Sequence, residues 1–244
     1  PVLNEQRTLA QSVDAVQHFL STNLGAYDWR VLIADNGSTD ATPEIASGLS
    51  ESYDRVRYLR LEQRGRGRAL SKAWLASDAD VLCYMDVDLS TELSTLPELV
   101  GAIADQGYDV AIGSRLKTGA RVIGRSMERE VVSRVYNLIV RSMFWTGFRD
   151  AQCGFKAISR QAARELVPLV RNTGWFFDTE LLILAEKNGY RIREMPVRWT
   201  DDADTRVRLV RTSYQNMRGL LRLRFGGLRR AAGLLAGPAG NDQE

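Results

Sequence analysis

Hydrophobic positions along the first half of this chain switch repeatedly between two periods. From about Glu5 to Leu20, the residues Leu9, Val13, Val16 and Leu20 fall three or four apart, the spacing of one helical face. Trp29-Arg-Val-Leu-Ile-Ala34 then reads as a buried strand, closed by the dense turn signal Asp35-Asn-Gly-Ser-Thr-Asp40. A second predicted helix carries Pro43 in its first turn and Ile45 and Leu49 on its inner face. Val56-Arg-Tyr-Leu-Arg-Leu61 predicts another short strand, and the Gly65-Arg-Gly67 turn leads into a helix through Ala69, Ala73 and Trp74. The strongest strand signal is Asp80-Val-Leu-Cys-Tyr-Met85, which ends at Asp86-Val-Asp88. A helix through Leu96, Leu99 and Ile103 precedes a last clear strand, Asp109-Val-Ala-Ile-Gly-Ser114.

Strands that alternate with helices, over connections too long for hairpins, predict an α/β fold with a mostly parallel central sheet flanked by helices. In such sheets ligands collect at the carboxyl ends of the strands. Both acidic turns, at Asp35 and Asp86, fall at predicted strand ends. After Arg115 the alternation weakens, and loops and helices are expected to predominate. No internal repeat or interdomain linker is visible.

Composition adds bounds. A chain of 244 residues, 44% apolar and 26% charged, is ordinary globular material, and one domain of this size buries roughly three quarters of its unfolded surface. Cys83 and Cys153 make no disulfide framework. The single histidine, His18, cannot build a histidine-rich metal site. No apolar run approaches the roughly 18 residues of a membrane span, and no signal peptide is visible. Net charge is only +3, yet eight arginines and no acidic residue lie between Arg206 and Arg230.

Asp86 and Asp88 are two apart, so in extended chain their carboxylates point to one side. Close carboxylates repel unless something positive intervenes. Mg²⁺ does this with one or two carboxylates, filling its other positions with water and phosphate oxygens. The alternative is that the pair ends the strand and caps the next helix. Gly65-Arg-Gly67 begins a dinucleotide fingerprint, but the third glycine would fall on Leu70. There is no G-x-x-x-x-G-K-[ST] loop either. A diphosphate held here would need a metal and arginines.

Further along, the chain resembles the inverting nucleotide-sugar glycosyltransferases of family two, in the branch of the polyprenyl- and dolichyl-phosphate sugar synthases. Pro1-Val-Leu-Asn-Glu5 looks like that family's opening turn, Asp35-Asn-Gly-Ser-Thr-Asp40 like its second turn, and Asp86-Val-Asp88 like its metal-binding D-x-D. Gly113-Ser-Arg115, Ser133-Arg-Val-Tyr-Asn137, Cys153-Gly-Phe-Lys156, Phe177-Asp-Thr-Glu-Leu-Leu182 and Glu194-Met-Pro-Val-Arg-Trp199 are similar to the lipid-phosphate branch. The resemblance implies a GT-A-type nucleotide-diphospho-sugar transferase fold over residues 1–210, with a first strand that would precede Pro1.

It also implies roles. Pro1, Leu3, Glu5 and Asp35 would line the base and ribose pocket, and Arg66 and Arg206 would reach the diphosphate. Asp86 and Asp88 would hold Mg²⁺ or Mn²⁺. Arg115, Arg134 and Asn137 would take the phosphate of a polyprenyl phosphate acceptor, with Asp178 and Glu180 near the sugar. An acceptor phosphate is anionic at neutral pH, because a monoester's second ionisation lies near 6. No strong base is then required, and direct attack on the anomeric carbon inverts it. The nearest relatives in pattern transfer glucose, which favours UDP-glucose over GDP-mannose as the donor.

From Tyr214 onward, Met217, Leu221, Phe225 and Leu228 continue an apolar stripe beside Arg211, Arg218, Arg222 and Arg229. Residues 211–244 thus read as a basic amphipathic helix, able to lie on an anionic membrane through Arg211–Arg230, and a disordered tail beyond Gly237. The expected location is peripheral, on the cytoplasmic face. Two rivals remain. A family-two transferase with a non-lipid acceptor would recruit Asp178 or Glu180 as base. A basic nucleic-acid-binding protein explains the arginines but not Asp86 and Asp88, so no nucleic-acid partner is expected.

Overall fold

The computed structural model describes residues 1–201 and 209–228. Arg206, Arg229, Arg230 and the tail beyond Gly237 lie outside the described residues, as does the Arg211 side chain. Among the described residues there are eight α-helices and eight strands: α1 Leu9–Asn23, β1 Val31–Asp35, α2 Thr42–Ser52, β2 Val56–Arg60, α3 Arg66–Leu75, β3 Val81–Met85, α4 Leu96–Ala104 and β4 Val110–Ser114 occupy the first half. The second half holds β5 Arg121–Ile123, α5 Met127–Phe144, β6 Phe155–Ser159, α6 Arg160–Leu166, α7 Phe177–Lys187, β7 Ile192–Pro196, β8 Arg198–Thr200 and α8 Leu209–Arg222.

Every element read from the first half is present. The second half differs from expectation, because β6 and β7 are central. The four-stranded sheet runs β3-β6-β4-β7, with β6 antiparallel between β3 and β4, and β4 parallel to β7. β1 and β2 form a parallel pair, as do β5 and β8. Val2 adds one parallel bridge to Asp35 beside β1. The four-stranded sheet is therefore mixed: β3, β4 and β7 run one way and β6 the other, so two of its three pairings are antiparallel. Charge hid the two strands: Lys156 interrupts β6, and Arg193 and Glu194 interrupt β7.

Successive strand residues face opposite sides, and two cores follow. Leu82, Tyr84, Val110, Ile112 and Ile158 join Trp74 of α3, Val140 of α5 and Leu181–Leu182 of α7 on one face. Ala111, Phe155 and Ala157 meet Val16 and Leu20 of α1 and Leu99 and Ile103 of α4 on the other. Removing side chains of this size from water contributes about 1.5–3 kcal/mol each. α7 is buried at every position from Phe177 to Ala185, polar residues included.

α8 belongs to the first core. Leu220 of α8 and Leu223, just beyond its end, are buried in it, and Met217 of α8 and Leu228 lean on it. Gly219 permits the approach, since a Cβ there would stand 2.5 Å from the Phe176 ring. The expected apolar stripe is thereby split: Tyr214, Leu221 and Phe225 face outward with exposed Arg218 and Arg224. No helix among the described residues is long and apolar enough to cross a membrane.

Candidate active site

β3 delivers Asp86 immediately beyond its carboxyl end, where the backbone turns sharply. Asp86 N–H donates to the Gly154 carbonyl (3.1 Å), and Leu89 takes a positive φ of 49° while its N–H donates to the Asp86 carbonyl. A non-glycine residue with that φ is uncommon and concentrates at functional turns. Gly154 lies against the carboxylate itself. A Cβ on it would stand 1.8 Å from Asp86 Oδ2, so only glycine leaves room. Asp88 is exposed, and its Oδ1 accepts the Ser90 N–H at 3.0 Å.

Arg66 opens α3 and links two of the expected residues. Its Nη2 donates to Asp86 Oδ1 at 2.8 Å and its Nη1 to Asp178 Oδ2 at 2.5 Å. The guanidinium also lies over the rings of Tyr84 and Trp175, about 5 Å from each centroid (5.1 and 5.0 Å). Asp178, in the first turn of α7, is buried. Tyr84 donates to its Oδ1, and Lys156 Nζ stands 3.1 Å from the same oxygen. Burial alone would raise the Asp178 pKa, but the Lys156 and Arg66 charges and the Tyr84 hydroxyl outweigh it and hold the carboxyl below its ordinary range. Tyr84, desolvated and beside that carboxylate, is pushed well above the usual phenol range.

The first two turns are knitted together beside this cluster. Asn4 and Glu5 donate backbone N–H groups to Ser38 Oγ (2.9 Å) and Thr42 Oγ1 (2.8 Å), and Thr39 N–H donates to Asn4 Oδ1. Asp35 is buried, accepting from Ser38 N–H at 2.9 Å and the Tyr58 hydroxyl at 3.0 Å. Pro1 lies within reach of the Arg66 and Asp86 charges, and Pro1, Leu3 and Glu5 are all half-buried. Gly65 N–H donates to Asn36 Oδ1, tying the α3 entry to the same turn.

The residues expected at an acceptor phosphate are held more firmly by the chain. Arg115 follows β4 and makes a two-pronged pair with buried Asp150, Nε to Oδ2 at 2.8 Å and Nη2 to Oδ1 at 2.9 Å. The Asp86 charge still acts on Arg115, so it stands near the cluster. Arg134 is exposed and bound to Glu130 on its own helix at 2.6 Å. Among the described residues no ion pair joins it to Asp86 or Asp178. The Asn137 amide is committed: its Nδ2 donates to the Ser133 carbonyl and its Oδ1 accepts from Ala151 N–H. Asn137 thus pins the loop that carries Asp150. Glu180 is buried, accepting from Arg222 of α8 at 2.6 Å and from Asn172 N–H.

Tyr84, Asp150 and Trp175 are not among the residues expected at the site, and Lys156 enters only as part of the Cys153-Gly-Phe-Lys156 motif. For Lys156 a signal was present, since a lone lysine between Phe155 and Ala157 contradicts its apolar surroundings. Two carboxylates at one turn, with Gly154 packed against one of them, are oxygen donors of the kind a hard divalent cation shares with phosphate, although among the described residues no group of three or more His, Cys, Asp or Glu assembles into a metal site. Asp86 and Asp88 would hold such an ion.

Known proteins share this sequence pattern and this fold. Residues 1–167 match the family model described as Glycosyl transferase family 2. Glycosyltransferase AglD of Haloferax volcanii is 42% identical over 212 residues, covering 86% of this chain and 34% of AglD. The dolichyl-phosphate beta-glucosyltransferase of Saccharomyces cerevisiae is 30% identical, covering 92% of this chain and 72% of the yeast protein. The chain thus spans about a third of AglD and most of the yeast relative. Glucosyl-3-phosphoglycerate synthase from Mycobacterium tuberculosis superposes with a TM-score of 0.66 at 25% identity, over 93% of this chain and 78% of that one. A structure of the same enzyme with Mn²⁺, UDP and phosphoglyceric acid gives 0.67 at 22% identity, which establishes the shared fold.

Proposed function

We propose that this chain, which belongs to glycosyl transferase family 2, transfers a hexose, glucose before mannose, from a nucleotide diphosphate to a polyprenyl phosphate. The observation that carries the reading is the meeting of Arg66, Asp86 and Asp178 at the carboxyl end of β3, beside the Pro1–Glu5 and Asp35–Asp40 turns. Relatives named dolichyl-phosphate beta-glucosyltransferase support the sugar and the lipid.

A divalent cation, Mg²⁺ or Mn²⁺, on Asp86 and Asp88 would neutralise charge developing on the diphosphate leaving group. Arg66 supplies a fixed cation beside it, backed by Asp178. An acceptor phosphate oxygen forms the new bond to the anomeric carbon as the bond from that carbon to the diphosphate breaks. The nucleoside diphosphate departs, and an α-linked donor yields a β-linked product. Arg115, oriented by Asp150, and Arg134, once parted from Glu130, are the cations assigned to the acceptor. Asp178 works through Arg66: its oxygens are engaged by Tyr84, Lys156 and Arg66 and its carboxyl is held ionised in the interior. Glu180 is equally committed. Neither suits the general base that a hydroxyl acceptor needs, which favours an acceptor already anionic.

Residues 1–210 are proposed to carry the chemistry and 211–244 to add contact with an anionic membrane. Two outward faces support membrane contact. Along α5, Met127, Val131, Val135 and Leu138 are exposed at helical spacing, with Trp145 just beyond the helix end. Tyr214 on α8 and Phe225 on the π-helical turn Leu223–Gly227 that continues it are 71% and 83% exposed, and no acidic residue lies between Leu209 and Leu228. Such faces suit the interface of a membrane carrying the lipid acceptor, on its cytoplasmic side.

The test is transfer itself. The full-length protein is incubated with Mg²⁺, a short polyprenyl phosphate, and radiolabelled UDP-glucose or GDP-mannose in turn. Label should enter the organic phase from UDP-glucose and be lost with EDTA and with Asp88→Ala. Metal-dependent nucleotide binding without labelled lipid would overturn the lipid acceptor. Absence of both would overturn the transferase reading.

A further inference from the structure

Lys156 is a charge inside an apolar core. The two-residue alternation of β6 sets it on the same face as Ile158, against Tyr84, and its side chain is 1% exposed. An unpaired ammonium there would cost several kcal/mol. It is paired three ways, with Asp178 Oδ1 at 3.1 Å, the Tyr84 hydroxyl at 3.2 Å and the Cys153 carbonyl. Asp178 passes the chain of charges on to Arg66, and Arg66 to Asp86. Signs alternate along the row Lys156, Asp178, Arg66, Asp86. Side-chain exposure is 1%, 2% and 10% over the first three and reaches 43% only at Asp86.

Lys156, Asp178 and Arg66 together carry one surplus positive charge, and Asp86 cancels it. The surplus stands on the Arg66 branch that faces the D-x-D turn, because the other branch is held by buried Asp178. A cation arriving at Asp86 competes with Nη2 of Arg66 for the same oxygen.

We propose that Arg66 is a built-in counter-ion for Asp86, held by Asp178 and Lys156, which yields that carboxylate to a divalent cation and turns its freed charge to the donor diphosphate. The proposal rests on the glycosyltransferase reading and gives it an order: metal entry and nucleotide binding are coupled through one side chain. Lys156 is a positioning residue in this scheme. It touches neither ligand, but without it the inner row is neutral and the surplus that meets the diphosphate is gone.

The experiment measures Mn²⁺ binding by electron paramagnetic resonance without nucleotide, and UDP binding by calorimetry with Mn²⁺. It compares the full-length protein with Arg66→Met, Arg66→Lys and Lys156→Met, each checked for folding by circular dichroism. Arg66→Met should bind Mn²⁺ about fivefold more tightly than the unaltered protein, the worth of a half-exposed ion pair. It should bind UDP about tenfold more weakly, for want of a charge-assisted contact. Arg66→Lys, whose point charge cannot fork between two carboxylates, should also tighten Mn²⁺, and it serves if the methionine variant does not fold. Lys156→Met should weaken UDP and leave Mn²⁺ within twofold, a split that simple loss of structure does not produce. Equal or weaker Mn²⁺ binding by a folded Arg66 variant overturns the counter-ion proposal and leaves the transferase reading standing. If the unaltered protein binds neither Mn²⁺ nor UDP, the transferase reading itself falls.

Discussion

Replacing Asp150 by asparagine probes the pair that fixes Arg115. Asp150 is fully buried and accepts three N–H donors from Arg115, through its backbone nitrogen, Nε and Nη2 at 3.0, 2.8 and 2.9 Å. Burial works to raise its pKa, but the Arg115 guanidinium and its hydrogen bonds prevail and lower it from 3.8 to about 2. That depression corresponds to roughly 2 kcal/mol of stability, and stripping a partner from a buried pair costs about 3–5 kcal/mol. Asparagine keeps the shape and one acceptor, so a loss of roughly 2–4 kcal/mol is expected at pH 7. The sign follows from linkage. A carboxyl with a depressed folded pKa stabilises above its unfolded value near 3.8 and loses that contribution as pH falls toward 2. Roughly half of that contribution should be gone by pH 3. Urea denaturation of both proteins at pH 7, 5, 4 and 3 measures the gap. A gap under about 0.5 kcal/mol at pH 7, or one that does not narrow below pH 4, would show that the Arg115–Asp150 pair does not stabilise the fold.

Three other outcomes follow. Gly154→Ala should fold but displace the Asp86 carboxylate, weakening metal-dependent UDP binding at least about tenfold by calorimetry, because its Cβ would enter that oxygen's space. Glu180→Ala should leave Arg222 without its buried partner, costing about 1–3 kcal/mol and speeding tryptic cleavage in α8 while the remaining chain persists. Val131→Asp with Leu138→Asp, both on the outward face of α5, should cut co-sedimentation with anionic vesicles about tenfold or more without changing the melting temperature.

Much of the fold was legible because helix and strand periods are set by neighbours two to four residues apart. Leu9, Val13, Val16 and Leu20 on α1, and the β3 run ending at Asp86, needed no distant information, and all are where the pattern put them. The acidic turns at strand ends followed for the same reason. β6 and β7 were missed because a local pattern reads charge as surface. Lys156 is inside only because Asp178 and Tyr84, respectively 22 and 72 positions away, supply its partners (178 − 156 and 156 − 84).

By itself, then, the sequence determined the order of elements in the first half, the strand ends that bear Asp35 and Asp86, and which helix faces turn inward. Tertiary structure alone decided which charges meet. Arg66 finds Asp86 at 20 positions' separation and Asp178 at 112, Arg115 finds Asp150 at 35, and Glu180 finds Arg222 at 42. Each pairing is worth forming only where water is excluded, and exclusion of water is a property of the assembled layers rather than of any stretch of chain.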